Sequence, residues 1–556
     1  MAFQLSPGVN VSEIDLTTIV PSVATSIGGF AGKFAWGPVG EIITISDEVR
    51  LADTLGKPNS NNYEYWFSAA SFLAYSNNLK VVRAYGADTY SATANGSPNV
   101  IIKNDDDWEA NWSGGANTYG TFASRYPGVL GNSLKVSVAD ANTYTGWAYS
   151  SQFTDAPGTS TYVSSAGGLR DELHVIVIDE DGQFTGTQGT VLEKYAFVSK
   201  ASDAKDDSGN TNYYKNVIAN KSKYIHWMSH AADGSNWGSA SSGTTYANLT
   251  SNVTVSLAAG ADGTISTANV VTAYDKYDNA DSVDVNLIVS GPADATVAAD
   301  LITMCETRKD CVAFLSPEKA DVVDNAGSEV TDVKAYRNSL TSSSYAVIDS
   351  NWKYMYDKYN DVYRWVPCNG DIAGLAARTD LERDPWFSPA GPNRGIMRNV
   401  LKLAWNPTKT NRDDLYVKGI NPVVTFQGEG TQLFGDKTML SKPSAFDRIN
   451  VRRLFIVLEK AIARAARFSM FEFNDQFTRA QFVNLVEPYL RDIQGRRGIT
   501  DFRVVCDESN NTGEVIDRNE FVGDIYIKPA RSINFIQLNF VAVRTGVSFD
   551  EVVGQF

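Results

Sequence analysis

The chain has 556 residues, 43% of them apolar and 20% charged, with a formal net charge of −15. At about 150 residues per domain this is room for three or four domains, each able to bury a core. The acidic balance argues against duplex nucleic acid as the main partner, because a phosphate backbone selects basic surfaces.

Residues 6–22 open the reading. Val9 and Val11 alternate with Asn10 and Ser12 at the strand period, Ile14 follows, and Pro7-Gly8 and Pro21 punctuate the ends. This is an extended arm over 1–22, too short for a sheet of its own, which must pair within the chain or with a neighbour. From Thr25 the sequence turns globular. A Gly/Ala-rich run at 27–32 leads to Gly37-Pro38, residues 65–75 read as a helix, and 79–85 reads as a buried strand.

Residues 88–250 are rich in Ser, Thr, Asn, Gly, Asp and Trp, with short strands expected at 134–138, 174–178 and 191–198. They read as one or two β-rich domains inserted into the main fold. The tract 229–245 is loop-like, yet Trp237 and the following Tyr246 argue for order. At 285–289, 293–308 and 311–315 a strand, a helix and a strand follow in turn, one β-α-β unit of a parallel sheet.

The last quarter holds the most informative segment, a helix from Asn450 to Arg467. At about 100° per residue, Arg453, Lys460, Arg464 and Arg467 fall within an arc of roughly 60°. Leu454, Val457, Leu458, Ala461, Ile462, Ala465 and Phe468 fill the arc beside it and are expected to pack. A basic stripe on an acidic protein suggests an acidic partner surface; the alternative is a solvated helix face. A second helix is expected to open at Thr478, with Gln481 completing a capping box, to kink at Pro488 and to stop at Gly495. Strands are expected at 502–506, 525–527 and 533–543, with a bulge near Phe535 where the alternating face switches.

Motifs for chemistry are sparse. Of three histidines, His226 and His230 lie at i, i+4, a metal spacing if helical, but no third ligand is evident. His174 precedes an apolar strand and reads as structural. Gly428-Glu-Gly430 lacks dinucleotide-loop spacing and reads as a turn, and Asp105–Asp107 reads as a solvated acidic loop. Cysteines at 305, 311, 368 and 506 form no C-x-x-C pair and fit no zinc or disulfide framework, so they read as buried thiols of a protein made in a cytosol. No run of about 18 apolar residues predicts a membrane-inserted helix, and the first residues lack a signal-peptide layout. No catalytic constellation and no cofactor are expected.

Several segments together resemble the contractile phage tail sheath family, the myovirus type. These are Ser6-Pro-Gly-Val-Asn-Val-Ser-Glu-Ile-Asp15, Gly28-Gly-Phe-Ala-Gly-Lys-Phe-Ala-Trp-Gly-Pro38, Arg125-Tyr-Pro-Gly-Val-Leu-Gly-Asn-Ser-Leu-Lys135 and Leu257-Ala-Ala-Gly-Ala-Asp-Gly263. The last has Ala259 where a second glycine is usual. Further on come Val366-Pro-Cys-Asn-Gly-Asp-Ile-Ala-Gly-Leu-Ala-Ala-Arg-Thr-Asp380, Asn450-Val-Arg-Arg-Leu454, Phe471-Glu-Phe-Asn-Asp475 and Phe535-Ile536. Each is modest alone, but all occur in the family's order.

The resemblance implies a multidomain α+β and α/β fold. An α/β core would comprise 23–87 and 251–394, the outward-projecting β-rich insert 88–250, and a C-terminal α+β domain facing the tube 395–556, with extended arms at both ends. It implies a structural, non-enzymatic subunit that stacks into a helical sleeve around a tail tube and shortens to drive the tube through a cell envelope. Implied partners are further copies of the chain, the tube protein, and baseplate and tail terminator proteins, with neither direct nucleic acid nor membrane insertion. Such particles are assembled in the host cytoplasm. Arg453, Lys460, Arg464 and Arg467 would face the tube. Val9, Val11 and Ile14, with Ile533, Phe535, Leu538 and Phe540, would weave neighbouring subunits together. Rival readings are the sheath of a bacterial contractile injection particle and a β-rich adhesin suggested by the insert.

Overall fold

The computed structural model describes residues 20, 23–231, 236–534 and 536–537. Two compact units divide the chain at Met470/Phe471. The first is organised on a seven-stranded sheet, in the order Ile420–Asn421, Ala346–Asp349, Val312–Leu315, Leu287–Val289, Gly28–Gly32, Leu79–Arg83, Ile42–Ile45. All neighbours are parallel except the last pair.

Strand alternation sorts the apolar side chains onto two faces. Phe30, Leu79, Val81, Val289, Phe314 and Val347 point into one cluster with Trp66 and Phe72 of the helix Tyr63–Leu73 and Ile372 of the helix Asn369–Glu382. Ala31, Val82, Ile288, Ala313, Leu315 and Ile348 point into the other, with Tyr274 of the helix Thr267–Tyr274 and Leu301 of the helix Ala295–Arg308. A parallel sheet needs such cover on both faces. The expected β-α-β unit is present, with Leu287–Val289 and Val312–Leu315 in parallel register.

The Gly/Ala run, given no element type from sequence, is the strand Gly28–Gly32, in the interior of this sheet. Its glycines are there for close approach. A Cβ on Gly28 would lie 2.6 Å from the Phe72 ring, one on Gly29 2.8 Å from Ile288, and one on Gly32 2.4 Å from Tyr65. Small residues here let large ones on the covering helix reach the sheet.

The insert has its own antiparallel sheet, in the order Thr190–Ser199, Glu172–Asp179, Leu134–Asp140, Val253–Ser256. Its last strand lies beyond the expected limit at 250 and pairs with Leu134–Asp140. Antiparallel bridges Thr93↔Ala258 and Tyr90↔Ala261 close its base, and Thr264 N donates to Asp88 Oδ1 at 2.8 Å. Trp237 and Tyr246 are both buried.

Residues 395–470 lie within the first unit, where Ile420–Asn421 is an edge strand of the main sheet. Gly428 and Gly430, both at positive φ, form the turn between antiparallel strands Val423–Phe426 and Gly430–Leu433, as read from sequence.

The second unit packs the helix Gln476–Gly495 on a two-stranded ribbon, Ile499–Val505 with Asp524–Pro529. The helix begins earlier than expected. Asp475, not Thr478, is its cap, its Oδ1 accepting from Thr478 N at 2.8 Å. Pro488 does lie inside the helix, which runs to Gly495. Phe482, Val486, Leu490 and Ile493 form its buried face. Residues 531–534 and 536–537 are not in a strand; Phe535, Leu538 and Phe540, and the proposed bulge, lie outside the described residues.

Candidate assembly surface

The basic helix is Ile449–Ala466, with Ile449, Leu454, Ile456, Leu458, Ala461, Ile462 and Ala465 buried. The stripe beside that face is on the expected side but is largely engaged within its own chain. Arg453 is only 4% exposed; its Nη2 pairs with Asp380 Oδ2 at 2.5 Å and its Nη1 donates to Ala376 O at 3.2 Å. Burial pushes the Asp380 carboxyl up in pKa while the adjacent guanidinium pulls it down. Lys460 pairs with Asp284. Arg467 Nη2 lies 3.1 Å from Asp281 in a pair exposed on both sides. Arg464 is exposed.

The four residues expected to face the tube therefore differ in exposure. Arg453 is a buried structural residue, Lys460 is part-buried, and only the far end of the helix, with Arg464 and Arg467, is presented to solvent. Phe468, expected to pack, is 63% exposed instead. The charges opposing the stripe lie some 70 to 190 positions away in sequence, so no local pattern announced them.

The arm residues fall differently. Val9, Val11 and Ile14 lie outside the described residues. Ile533 is exposed, as is Ile536 beside it. Phe471, Phe473 and Phe477 at the start of the second unit are also exposed, an apolar surface that sequence reasoning missed although Phe471-Glu-Phe-Asn-Asp475 was in view.

His226 sits in the strand Ile225–Trp227, so its spacing to His230 is not a helical i, i+4 pair. It stacks on Trp108 with centroids 5.0 Å apart, and burial depresses its pKa to about 3. His230 Nδ1 lies 2.7 Å from Tyr214 OH. His174 donates from Nε2 to Asp155 O at 2.9 Å and accepts from Phe197 N at 3.1 Å, a satisfied buried imidazole. Among the described residues no group of three or more His, Cys, Asp or Glu side chains is placed to hold a metal ion. No described helix is long and apolar enough to cross a membrane. The four cysteines are free and buried. Asp105–Asp107 is the first turn of a short helix capped by Asn104, not a loop.

Two family models match the chain, the phage tail sheath protein central domain over residues 263–439 and the phage tail sheath C-terminal domain over 441–542. The start of the first match agrees with the base of the insert at 262. The tail sheath protein of Enterobacteria phage T4 is 33% identical over 675 aligned residues, covering 99% of this chain and 99% of that protein. The crystal structure of a sheath tail protein from Desulfitobacterium hafniense superposes with a TM-score of 0.53 at 13% identity, over 90% of this chain and 94% of that one. The anti-feeding prophage helical sheath in its contracted state superposes with a TM-score of 0.51 at 13% identity, over 97% and 99%. At such identities these two structures bear on the fold alone.

Proposed function

The chain belongs to the phage tail sheath family, and from that premise we propose how its geometry serves a contractile sleeve. It is a structural subunit and a virion component, not an enzyme. Copies polymerise into a helical sheath, and the sheath shortens to drive an inner tube through the host envelope. Relatives about one-third identical are sheath proteins of phages, which favours a phage tail over a bacterial injection particle.

The observation that carries the finer reading is the division of labour along the basic helix. Its first half anchors it: Arg453 is locked to Asp380 in the interior. Its last turns offer Arg464 and Arg467 to an acidic tube wall. Exposed ion pairs contribute about 0–1 kcal/mol each, so they guide assembly yet release when subunits move. The arms, with Val9, Val11 and Ile14 at one end and Ile533, Phe535, Leu538 and Phe540 at the other, add strands to the two-stranded ribbon of neighbouring subunits. The insert projects outward. Baseplate and terminator proteins cap the ends of the sleeve, which is built in the host cytoplasm.

The test is charge reversal at the exposed end. Arg464→Glu with Arg467→Glu should leave thermal unfolding unchanged and abolish co-sedimentation of the subunit with purified tubes at low salt. Undiminished co-sedimentation would overturn the tube-facing assignment.

A further inference from the structure

The root of the N-terminal arm is held in an unusual way. Residues 24–27 form no regular structure, yet four consecutive backbone carbonyls are each met by a donor from elsewhere in the unit. Asn286, with its amide turned so that both ends are matched, donates to Ala24 O at 3.0 Å and accepts from Lys460 Nζ at 3.0 Å. Arg453 Nη2 reaches Thr25 O at 3.4 Å from its pair with Asp380. Ser76 Oγ donates to Ser26 O at 3.2 Å. Asn286 N and Leu287 N both donate to Ile27 O, at 2.9 and 3.1 Å.

A surface coil ordinarily leaves such carbonyls to water. Here two cations of the basic stripe reach adjacent residues of the root, Lys460 through Asn286 to Ala24 and Arg453 directly to Thr25. Seven residues separate them, about 10 Å of helix, so together they fix the root in position and in heading.

We infer that Arg453 and Lys460 are positioning residues for the arm. They clamp residues 24–25 to the helix whose far end carries Arg464 and Arg467, so the direction in which the arm leaves the subunit is set by that helix. The clamp explains why these cations are drawn inward instead of lying free on the face. Its importance for assembly rests on the reading that the arm links neighbouring subunits.

The experiment is hydrogen exchange on the soluble full-length subunit, followed by sheath assembly of the same samples. Two variants remove the clamp without stranding a buried charge: Lys460→Met, whose partner Asp284 keeps access to water, and the double variant Arg453→Met with Asp380→Asn. The clamp predicts that the peptide spanning 23–28 exchanges roughly tenfold faster in each, the loss expected from one or two local hydrogen bonds. Strands Leu287–Val289 and Val312–Leu315 should keep their protection, and Lys460→Arg should restore the wild-type rate. Unchanged exchange at 23–28 would overturn the clamp, whatever the assembly result. Faster exchange with defective assembly supports both the clamp and the linking arm. Faster exchange with normal sheaths supports the clamp and overturns the linking arm.

Discussion

The seven-stranded core and the insert solve the same problem by opposite means. The core covers a largely parallel sheet on both faces with apolar side chains, and its strands are buried almost throughout. The insert covers an antiparallel sheet whose interior is partly ionic. Lys200 and Asp140, both essentially inaccessible, pair at 3.0 Å; the ammonium also donates to Arg170 O and Ala247 O at 3.2 Å and lies 4.6 Å from the Trp237 ring centroid. Asp140 Oδ2 accepts from Leu249 N as well, at 2.7 Å. The core strands are therefore held by non-directional burial, with buried ion pairs among the elements around them, such as Lys353 Nζ to Asp371 Oδ2 at 2.7 Å, whereas in the insert the directional contacts reach the sheet itself through Asp140 and must all be made. The insert also buries an apolar cluster of its own, including Leu134, Val136, Val175, Val177 and Trp237, so a stretch thick with Ser, Thr and Asn is ordered by both means.

The largest effects should separate the two regions. Phe314→Ala empties the middle of the core and should cost about 3–5 kcal/mol in urea unfolding. Lys200→Met leaves Asp140 buried without its counter-charge and should cost a similar amount, about 3–5 kcal/mol. That loss should be confined to the insert, read as accelerated exchange in Glu172–Asp179 with the core strands unaffected. Adding Asp140→Asn should recover part of it, because the buried charge is removed while one acceptor oxygen survives. Recovery in the double variant marks an ionic interior; no recovery would mean that Lys200 matters for its packing.

Next comes pH, where the two regions should move in opposite directions. In the core, burial raises the pKa of Asp349 from 3.8 to about 8, with Ser316 Oγ donating to it at 2.6 Å. The folded state keeps a proton that the unfolded chain loses, so core stability falls as pH rises from about 4 to about 8. In the insert, burial lowers His226 from 6.5 to about 3. There the unfolded chain takes a proton that the folded state refuses, so insert stability falls as pH drops from about 6.5 to about 3. Each slope is at most about 1.4 kcal/mol per pH unit. Exchange corrected for intrinsic rates at pH 5 and 7.5 checks the contrast. Asp349→Asn should flatten the core's dependence and His226→Gln the insert's. The smallest effect is at Arg467→Ala, which removes an exposed pair worth about 0–1 kcal/mol and should leave thermal unfolding nearly unchanged.

Much of the core was legible because burial writes a local period. The strand at 285–289, the helix after it and the strand at 311–315 were all visible, as were the main insert strands. The strand Gly28–Gly32 was not, because glycine carries no strand signal and its role is to yield space to Phe72, Ile288 and Tyr65. The face of the basic helix was legible from angular spacing alone. The partners of its charges were not: Asp284, Asp281 and Asp380 come from other elements, and only the folded chain brings them to the stripe. The same limit left the spacing of His226 and His230 undecided in the sequence, because four residues imply a shared face only on a helix and His226 lies in a strand.

The central claim is that this chain polymerises into a sheath, and negative-stain electron microscopy of the purified protein, alone and with its tube protein, tests it most directly. The account predicts long hollow tubes with regular helical striation in at least the second sample. Dispersed particles in both samples, from protein that unfolds cooperatively and is therefore intact, would contradict it.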